Sequence, residues 1–531
     1  MRSSETTRPA SKAGEVPLTT TLTLLGIALG IFMGALENTI VGTAMPTVIA
    51  TLGGIEIYSW VAVAYVLTST VMTPIWGKMA DLIGRRPAMF GGLFLFIVGS
   101  ALSGAAHSMG QLIAFRALQG LGAGALFPVG MTIVADLMTL EKRTKTIALF
   151  SAMWGVASLF GPLAGGYLTE HLSWRWVFYI NLPFGVLAAI LIWANYTEQH
   201  ARRTNISLDY AGTATLTVML VLLLLLVEQG SGWPLGWAIG AGAACVALVA
   251  LFIYIERHSP EPLIPLNLFR ERMVVVTSLH GVFAGMMLFG TMLYLPLFVQ
   301  AVLGGSPTAA GGILTPFILS WVVSSIIGGR LILRIGYRPV VLWGMSLMML
   351  GSLLLAYVST STSRGYLALS VILMGLGGGL TLSSLMIGAQ HSVPRALLGV
   401  VTSTVQFSRN IGAALGIGVM GAVLSWSLRH QLAAGGGELS ALAIQHSDVA
   451  ALVRQSTRDS LSPSALHFLE QALAGSLRLA FMVGLVMVVL ATLLSLGLPG
   501  GRAHELVHPE HQPASQAADL PEELASSHPE L

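Results

Sequence analysis

Gly77-Lys78-Met79-Ala80-Asp81-Leu82-Ile83-Gly84-Arg85-Arg86-Pro87 is a short basic stretch between two long apolar runs. Its echo is Gly329-Arg330-Leu331-Ile332-Leu333-Arg334-Ile335-Gly336-Tyr337-Arg338-Pro339, again between apolar runs. Both copies place Gly first and eighth, a basic residue second and tenth, and Pro eleventh. They differ at the fifth position, where Leu333 stands in place of Asp81. The repeat marks a membrane domain built from two related halves. An even number of spans between the copies makes the halves parallel, related by an axis along the membrane normal.

Composition agrees with that reading. Of 531 residues, 54% are hydrophobic and only 10% are charged, and the mean hydropathy is +0.77. A chain this apolar is a polytopic membrane protein rather than a soluble one. The apolar runs are continuous rather than alternating, so the class is all-α and not a β-barrel. One cysteine, Cys245, excludes an intramolecular disulfide framework and a multi-Cys metal site, and it reads as a small packed residue. The net charge of +3 says less than the placement of the charges.

Working outward from the two loops, fourteen runs reach the length of about 20 residues that a span needs. They are 19–45, 58–79, 88–106, 111–134, 144–168, 176–196, 210–228, 234–255, 273–302, 308–328, 340–359, 366–389, 397–425 and 476–499. Lys and Arg concentrate in alternate connections, among them Lys78, Arg85 and Arg86, Lys142, Arg143 and Lys145, and Arg330, Arg334 and Arg338. The positive-inside rule then puts both termini in the cytoplasm. Residues 1–18 form a polar cytoplasmic segment, and the first run is long enough to stay as a helix rather than be cleaved. A six-helix bundle over 19–196 and another over 273–499 flank a linker, 197–272, that carries two inserted spans. An external loop over 426–475 has amphipathic stretches near 439–455 and 463–474. The Pro-rich, acidic tail over 500–531 reads as disordered and cytoplasmic, without the order its histidines would need to hold a metal.

Charge inside a span is expensive and points to function by default. Glu37 lies about six residues from the outer end of the first run and Arg116 about five from the outer end of the fourth, which puts both about 8–9 Å below the outer surface. A Glu–Arg pair there could be broken by a proton, or could be a permanent structural pair. Arg409, in Gln406-Phe407-Ser408-Arg409-Asn410, is a second intramembrane cation with no evident partner. His280 is either a packing histidine or a titrating one. Asp136, at the cytoplasmic end of the fourth run, reads as interfacial. Asp81 can accept hydrogen bonds from a neighbouring helix end while Gly77 and Gly84 permit close approach, so Gly77, Asp81, Gly84, Arg85 and Arg86 read as a conformational latch. Gly161-Pro162 should kink the fifth span, with Gly165 and Gly166 allowing tight packing. Met286, Met287, Met292, Phe283, Phe289 and Tyr294 give the ninth run a soft surface that suits either varied lipophilic ligands or plain packing.

Four further stretches sharpen the picture. The first loop, with Gly77, Asp81 and Gly84-Arg85-Arg86, resembles the signature of the major facilitator superfamily. Arg116-Ala117-Leu118-Gln119-Gly120-Leu121-Gly122 is similar to that superfamily's fourth-span motif, and Gly161-Pro162-Leu163-Ala164-Gly165-Gly166 to its antiporter motif in the fifth span. Leu36-Glu37-Asn38-Thr39-Ile40-Val41, ending at Pro46, resembles the first-span motif of the fourteen-span drug:proton antiporters, although Glu37 stands where that subfamily usually has Asp. Trp174-Arg175-Trp176-Val177-Phe178-Tyr179-Ile180-Asn181-Leu182-Pro183 is also similar to that subfamily. The resemblance implies a major facilitator fold whose first and fourth spans meet at a central cavity. It assigns proton coupling and the cavity to Glu37, Arg116, Asn38 and Gln119, and a leak-preventing seal to Gly161 and Pro162.

The chain has no Gly-x4-Gly-Lys-Ser/Thr loop for ATP, no HExxH and no Gly-x-Ser-x-Gly elbow, and nothing in it suggests nucleic-acid binding. The expectation is therefore a proton-coupled exporter in the cell membrane, not an enzyme, with no cofactor or metal. Its partners would be protons and small lipophilic, in some cases cationic, compounds. An exporter of one specific solute, such as a siderophore, antibiotic or lipid, is the alternative, and a non-transporting membrane sensor is the more distant one.

Overall fold

The glycines that open each basic loop's second helix set the geometry. Gly84 has φ 101° and Gly336 φ 85°, a region open to glycine at little cost. Each therefore ends one long helix and starts the next within a single residue. The computed structural model describes residues 17–52, 60–138, 140–198, 209–229, 233–260, 262–304, 312–394, 397–434 and 462–500.

The first half comprises α1 (Leu18–Leu52), α2 (Trp60–Ile83), α3 (Arg85–Gly104), α4 (Met109–Leu137), α5 (Leu140–His171), the single turn α6 (Trp176–Tyr179) and α7 (Asn181–Asn195). Two helices follow, α8 (Tyr210–Gln229) and α9 (Leu235–His258), and a 3-10 turn over Leu266–Arg270. The second half comprises α10 (Arg272–Ala301), α11 (Thr315–Ile335), α12 (Tyr337–Leu355), α13 (Arg364–His391), α14 (Leu398–Ala434) and α15 (Pro463–Ser495). No strand occurs among the described residues.

Packing repeats as the loops do. In the first half α4 lies against α2 and α3, and α1 against α5 and α7. In the second, α13 lies against α11 and α12, and α10 against α14 and α15. Small residues carry the equivalent seams, as expected where lipid supplies no hydrophobic drive between helices. A Cβ on Gly92 would lie 2.3 Å from Ala125 Cβ, and one on Gly99 2.4 Å from Gln119 N. Their counterparts Gly344 and Gly351 would meet Thr381 Oγ1 at 2.3 Å and the Ser370 carbonyl at 2.6 Å. The bundles meet through exchanged partners, α2 against α14 and α5 against α11. The inserted α8 leans on both α2 and α14. Leu216, Met219 and Leu220 of α8 cluster there with Val71, Phe407 and the connector's Leu263 and Ile264. The connector is thus anchored to the bundles by buried side chains.

Counting α6 and α7 together as Trp176–Asn195, twelve helical segments among the described residues are long and apolar enough to cross a membrane, so the protein is membrane-embedded. The two remaining expected spans, 144–168 and 210–228, fall within α5 and α8, which are helical but are not among the twelve. The sequence separates an amphipathic stretch near 463–474 from a span at 476–499, but α15 runs through both as one 33-residue helix. Pro463 starts it in the first turn, where a missing N–H costs nothing, and buried Leu469, Ala472 and Leu473 tie its early turns to the core. The stretch near 439–455 and the tail beyond Gly500 lie outside the described residues, as do residues 1–16.

Candidate functional site

Arg116 and Gln119 stand three apart on α4 and so share a face. That face looks toward Glu37 on α1. Arg116 Nη1 donates to Glu37 Oε1 and, at 2.7 Å, to Gln119 Oε1. Arg116 Nε donates to the Val61 carbonyl of α2 at 3.2 Å. The guanidinium carbon lies 4.1 Å from the Tyr65 ring centre and 5.8 Å from that of Phe178, so aromatic faces screen the cation on two sides. Glu37 is 1% exposed and Arg116 2%. An ion pair this buried holds only when the remaining lone pairs and protons also find partners.

The second carboxylate oxygen finds its partner through a break in the chain. Pro183 has no N–H to give the Tyr179 carbonyl, and its ring crowds that carbonyl, so helix continuity fails between α6 and α7. Asn181, the first residue of α7, is thereby turned inward and is fully buried. Its Nδ2 donates to Glu37 Oε2 at 2.5 Å and also reaches Ser100 Oγ at 3.1 Å. Gln119 Nε2 donates to the same hydroxyl at 3.2 Å, and Ser100 Oγ donates to the Phe178 carbonyl at 2.9 Å. Five helices thus surround one carboxylate. Asn181 Oδ1 is buried with no hydrogen-bond partner.

A second cluster sits at the end of the bundles that carries the basic loops. Asp81 of α2 reaches the start of α14. Its Oδ1 accepts from Gly399 N at 3.1 Å and its Oδ2 from Val400 N at 2.8 Å. Those N–H groups lie in the first turn of a helix, where no carbonyl of the same helix is available and the dipole is positive. Close approach requires Gly77: a Cβ there would lie 2.0 Å from Ser403 Oγ and 2.8 Å from the Gly399 carbonyl. Arg85 Nη1 pairs with Asp136 Oδ2 at 2.6 Å, and Arg85 Nη2 lies 3.8 Å from Asp81 Oδ1. Arg86 stacks 4.2 Å over the Trp193 ring, and its backbone N–H donates to Glu198 Oε2 at 3.0 Å. On the other side of the same end, Arg143 donates to the Ala135 carbonyl at 2.5 Å and to Gln390 Oε1 at 3.4 Å, crossing from one bundle to the other. Gln390 Nε2 in turn donates to Thr402 Oγ1 at 2.9 Å.

The remaining sequence-predicted residues divide. Asp136 reads from sequence as an interfacial acid. Its side chain is 2% exposed and paired with Arg85, because the Gly84 turn swings the first residue of α3 beneath the end of α4. Gly161 faces α1, where a Cβ would lie 2.0 Å from Thr39 Oγ1, and Thr39 Oγ1 donates to the Ala157 carbonyl at 3.2 Å. Gly165 is buried, and a Cβ on Gly166 would meet open space. The side chains of Asn38 and Pro162 lie outside the described residues. His280 is fully buried in the second bundle, with Nε2 3.1 Å from Met345 Sδ and Nδ1 without a hydrogen-bond partner. Arg409 of α14 stands 5.5 Å from the ring centre of Phe127 on α4 and donates through Nη2 to Gln406 Oε1 at 2.5 Å. Sequence reasoning missed Asn181, Ser100 and Tyr65 around Glu37. The one available signal was Asn181 beside Pro183, a polar residue at a helix break within an apolar run.

Comparison with known proteins agrees with this architecture. The profile of the Major Facilitator Superfamily matches residues 27–417. "Multidrug transporter protein MdtP" of Bacillus subtilis (strain 168) is 40% identical over 408 residues, covering 76% of this chain and 75% of the relative. "Multidrug resistance protein 3" of the same organism is 34% identical over 488 residues, covering 90% of this chain and 95% of the relative. The crystal structure of the human organic anion transporter MFSD10 (TETRAN) superposes with a TM-score of 0.58 at 17% identity, over 90% of this chain and all of that one, a likeness of fold alone. The chain is a transporter that belongs to the major facilitator superfamily.

Proposed function

We propose that this transporter exports lipophilic compounds across the cell membrane in exchange for protons, with Glu37 as the proton-carrying group. The observation that carries the proposal is the enclosure of the Glu37 carboxylate by Arg116 and Asn181 at an otherwise apolar depth. A proton on Glu37 removes the charge that holds Arg116 and ties α1 to α4. Asn181 can serve both states: its Nδ2 donates to the carboxylate, and its free Oδ1 can accept from the carboxylic acid after rotation of the amide. Protonation therefore loosens the junction without leaving Glu37 unpartnered.

The second part of the proposal is a latch. Asp81 on the Gly399 and Val400 N–H groups, with the Arg143–Gln390 contact, closes the loop end of the molecule, which the distribution of Lys and Arg assigns to the cytoplasm. In this reading α5 and α8 complete fourteen spans, both termini are cytoplasmic, and substrates enter when the latch opens. The driving force is about 2.3 kcal/mol per charge per 100 mV, plus the pH gradient. Several relatives bear names of multidrug or efflux transporters, which supports export of more than one compound.

The test is proton release from energised inverted vesicles on addition of a panel of lipophilic compounds, for the native chain and for Glu37→Gln. The native chain should respond and the variant should not, while the variant still binds substrate. An equal response from both would remove Glu37 from the coupling. Silence from the native chain across the panel would favour an exporter of one specific solute.

A further inference from the structure

Arg409 differs from Arg116, the other cation that the sequence places inside a span. Arg116 is neutralised by Glu37, whereas Arg409 has no carboxylate partner among the described residues. Its acceptor is the neutral amide of Gln406, and its Nε is buried without a hydrogen-bond partner. Gln406 Nε2 is already bonded to Asn410 Oδ1 at 2.9 Å, so the amide network is fixed on α14 beside the cation. The guanidinium points across the junction between the bundles, toward Phe127 of α4. Glu37, inside the first bundle, is already held by Arg116 and Asn181. With Arg116 neutralised by Glu37 inside the first bundle, Arg409 is left as an uncompensated positive charge at the junction between the bundles.

We infer that Arg409 is the binding site for the acidic group of an amphipathic anion, whose apolar body lies against Phe127. The inference rests on the export reading and names the substrate class of that same transporter. A guanidinium offers a planar fork of donors that suits a carboxylate, sulfonate or phosphate, and the aromatic face supplies apolar contact beside it. An anion held by Arg409 does not compete with the proton for Glu37, so exchange runs through conformation rather than through displacement of one charge by another.

The experiment is equilibrium binding to the purified full chain in phosphatidylcholine nanodiscs, read by fluorescence anisotropy with empty nanodiscs as the blank. The probes are two xanthene dyes on one ring frame, an anionic fluorescein ether and a cationic rhodamine ester. The anion should bind at least tenfold more tightly than the cation. Arg409→Gln should abolish that preference, and Arg409→Lys should keep most of it. Monodisperse elution and an unchanged unfolding temperature establish that the variants fold. Three results overturn the inference: equal or tighter binding of the cation, anion binding that survives Arg409→Gln, or no binding of either dye. Equal loss in Arg409→Lys and Arg409→Gln would make the residue a packing element and would also overturn it. The export reading is judged separately, because Glu37-dependent proton release on adding a cation would uphold export while refuting an anion site.

Discussion

In the first basic loop, Asp81 reaches across the bundle junction and accepts two backbone N–H groups from α14. In the second, the same register position holds Leu333, partly buried against the apolar core. The backbones match, down to the positive φ of Gly84 and Gly336, but the chemistry does not. The reason lies in the helix each loop faces. Helix α14 begins at Leu398, so the N–H groups of Gly399 and Val400 belong to its first turn and need an outside acceptor. In the register set by the two loops, the corresponding residues of α5 are Ile147 and Ala148. Helix α5 begins at Leu140, so those N–H groups lie well inside it and are spent on its own carbonyls. An acid is useful at the α2–α14 junction and has nothing to bind at the α5–α11 junction. The two related halves thus make different polar contacts across the junction, carboxylate to helix N–H at Asp81 and guanidinium to amide at Arg143–Gln390.

The largest expected effect tests the next position along. Arg85 is buried and paired with Asp136, and its register counterpart Tyr337 is buried with its hydroxyl 3.3 Å from His391 Nδ1. Removing one member of a buried ion pair leaves a charge uncompensated and costs about 3–5 kcal/mol. Losing one neutral hydrogen bond costs about 1 kcal/mol. Thermal unfolding of the purified transporter should therefore show a far larger loss for Arg85→Ala than for Tyr337→Phe. Equal losses would mean that the first loop's charges add nothing to the fold.

Next in size is the proposed latch. Asp81→Asn keeps the volume but removes the charge from two hydrogen bonds, worth about 1.5–3 kcal/mol each when charged. A shift of that size changes a two-state population by about tenfold or more. The closed loop end should open more often, and a maleimide should label Leu397→Cys at least tenfold faster in the Asp81→Asn background, with Cys245→Ala removing the native thiol. An unchanged labelling rate would show that Asp81 does not hold the junction shut.

What could be read in the sequence, and what could not, follows from the type of group. Glu37 and Arg116 are conspicuous because a charge in an apolar run has few explanations, and the two basic loops because a spaced pattern repeats. Their partners are not conspicuous. Gly399 and Val400 act through backbone N–H groups, which leave no mark in a sequence. Ser100 is neutral and of a kind common in transmembrane helices, where hydroxyls often bond to their own backbone, as Thr132 does to the Pro128 carbonyl at 2.9 Å, and Asn181 is neutral, with only the helix break beside it as a sign. The partner of Asp136 is hidden too, until the turn at Gly84 brings Arg85 beneath it. The place where α8 docks was hidden for a different reason: its buried residues are Leu and Met, the same residues that face lipid elsewhere.

The smallest effect tests the explanation for the asymmetry itself. If the second loop lacks an acid only by accident of history, Leu333→Asp should build a matching latch at the α5–α11 junction, slow opening of the loop end and stabilise the fold. If the early start of α5 is the cause, the new carboxylate meets N–H groups that are already bonded. It then replaces a partly buried apolar contact with an unsatisfied acid, at a cost of about 1 kcal/mol. The expected outcome is a small drop in unfolding temperature with no change in the maleimide rate at Leu397→Cys. A slower rate would show that α5 can free its N–H groups at that point, and the difference between the two loops would then need another cause.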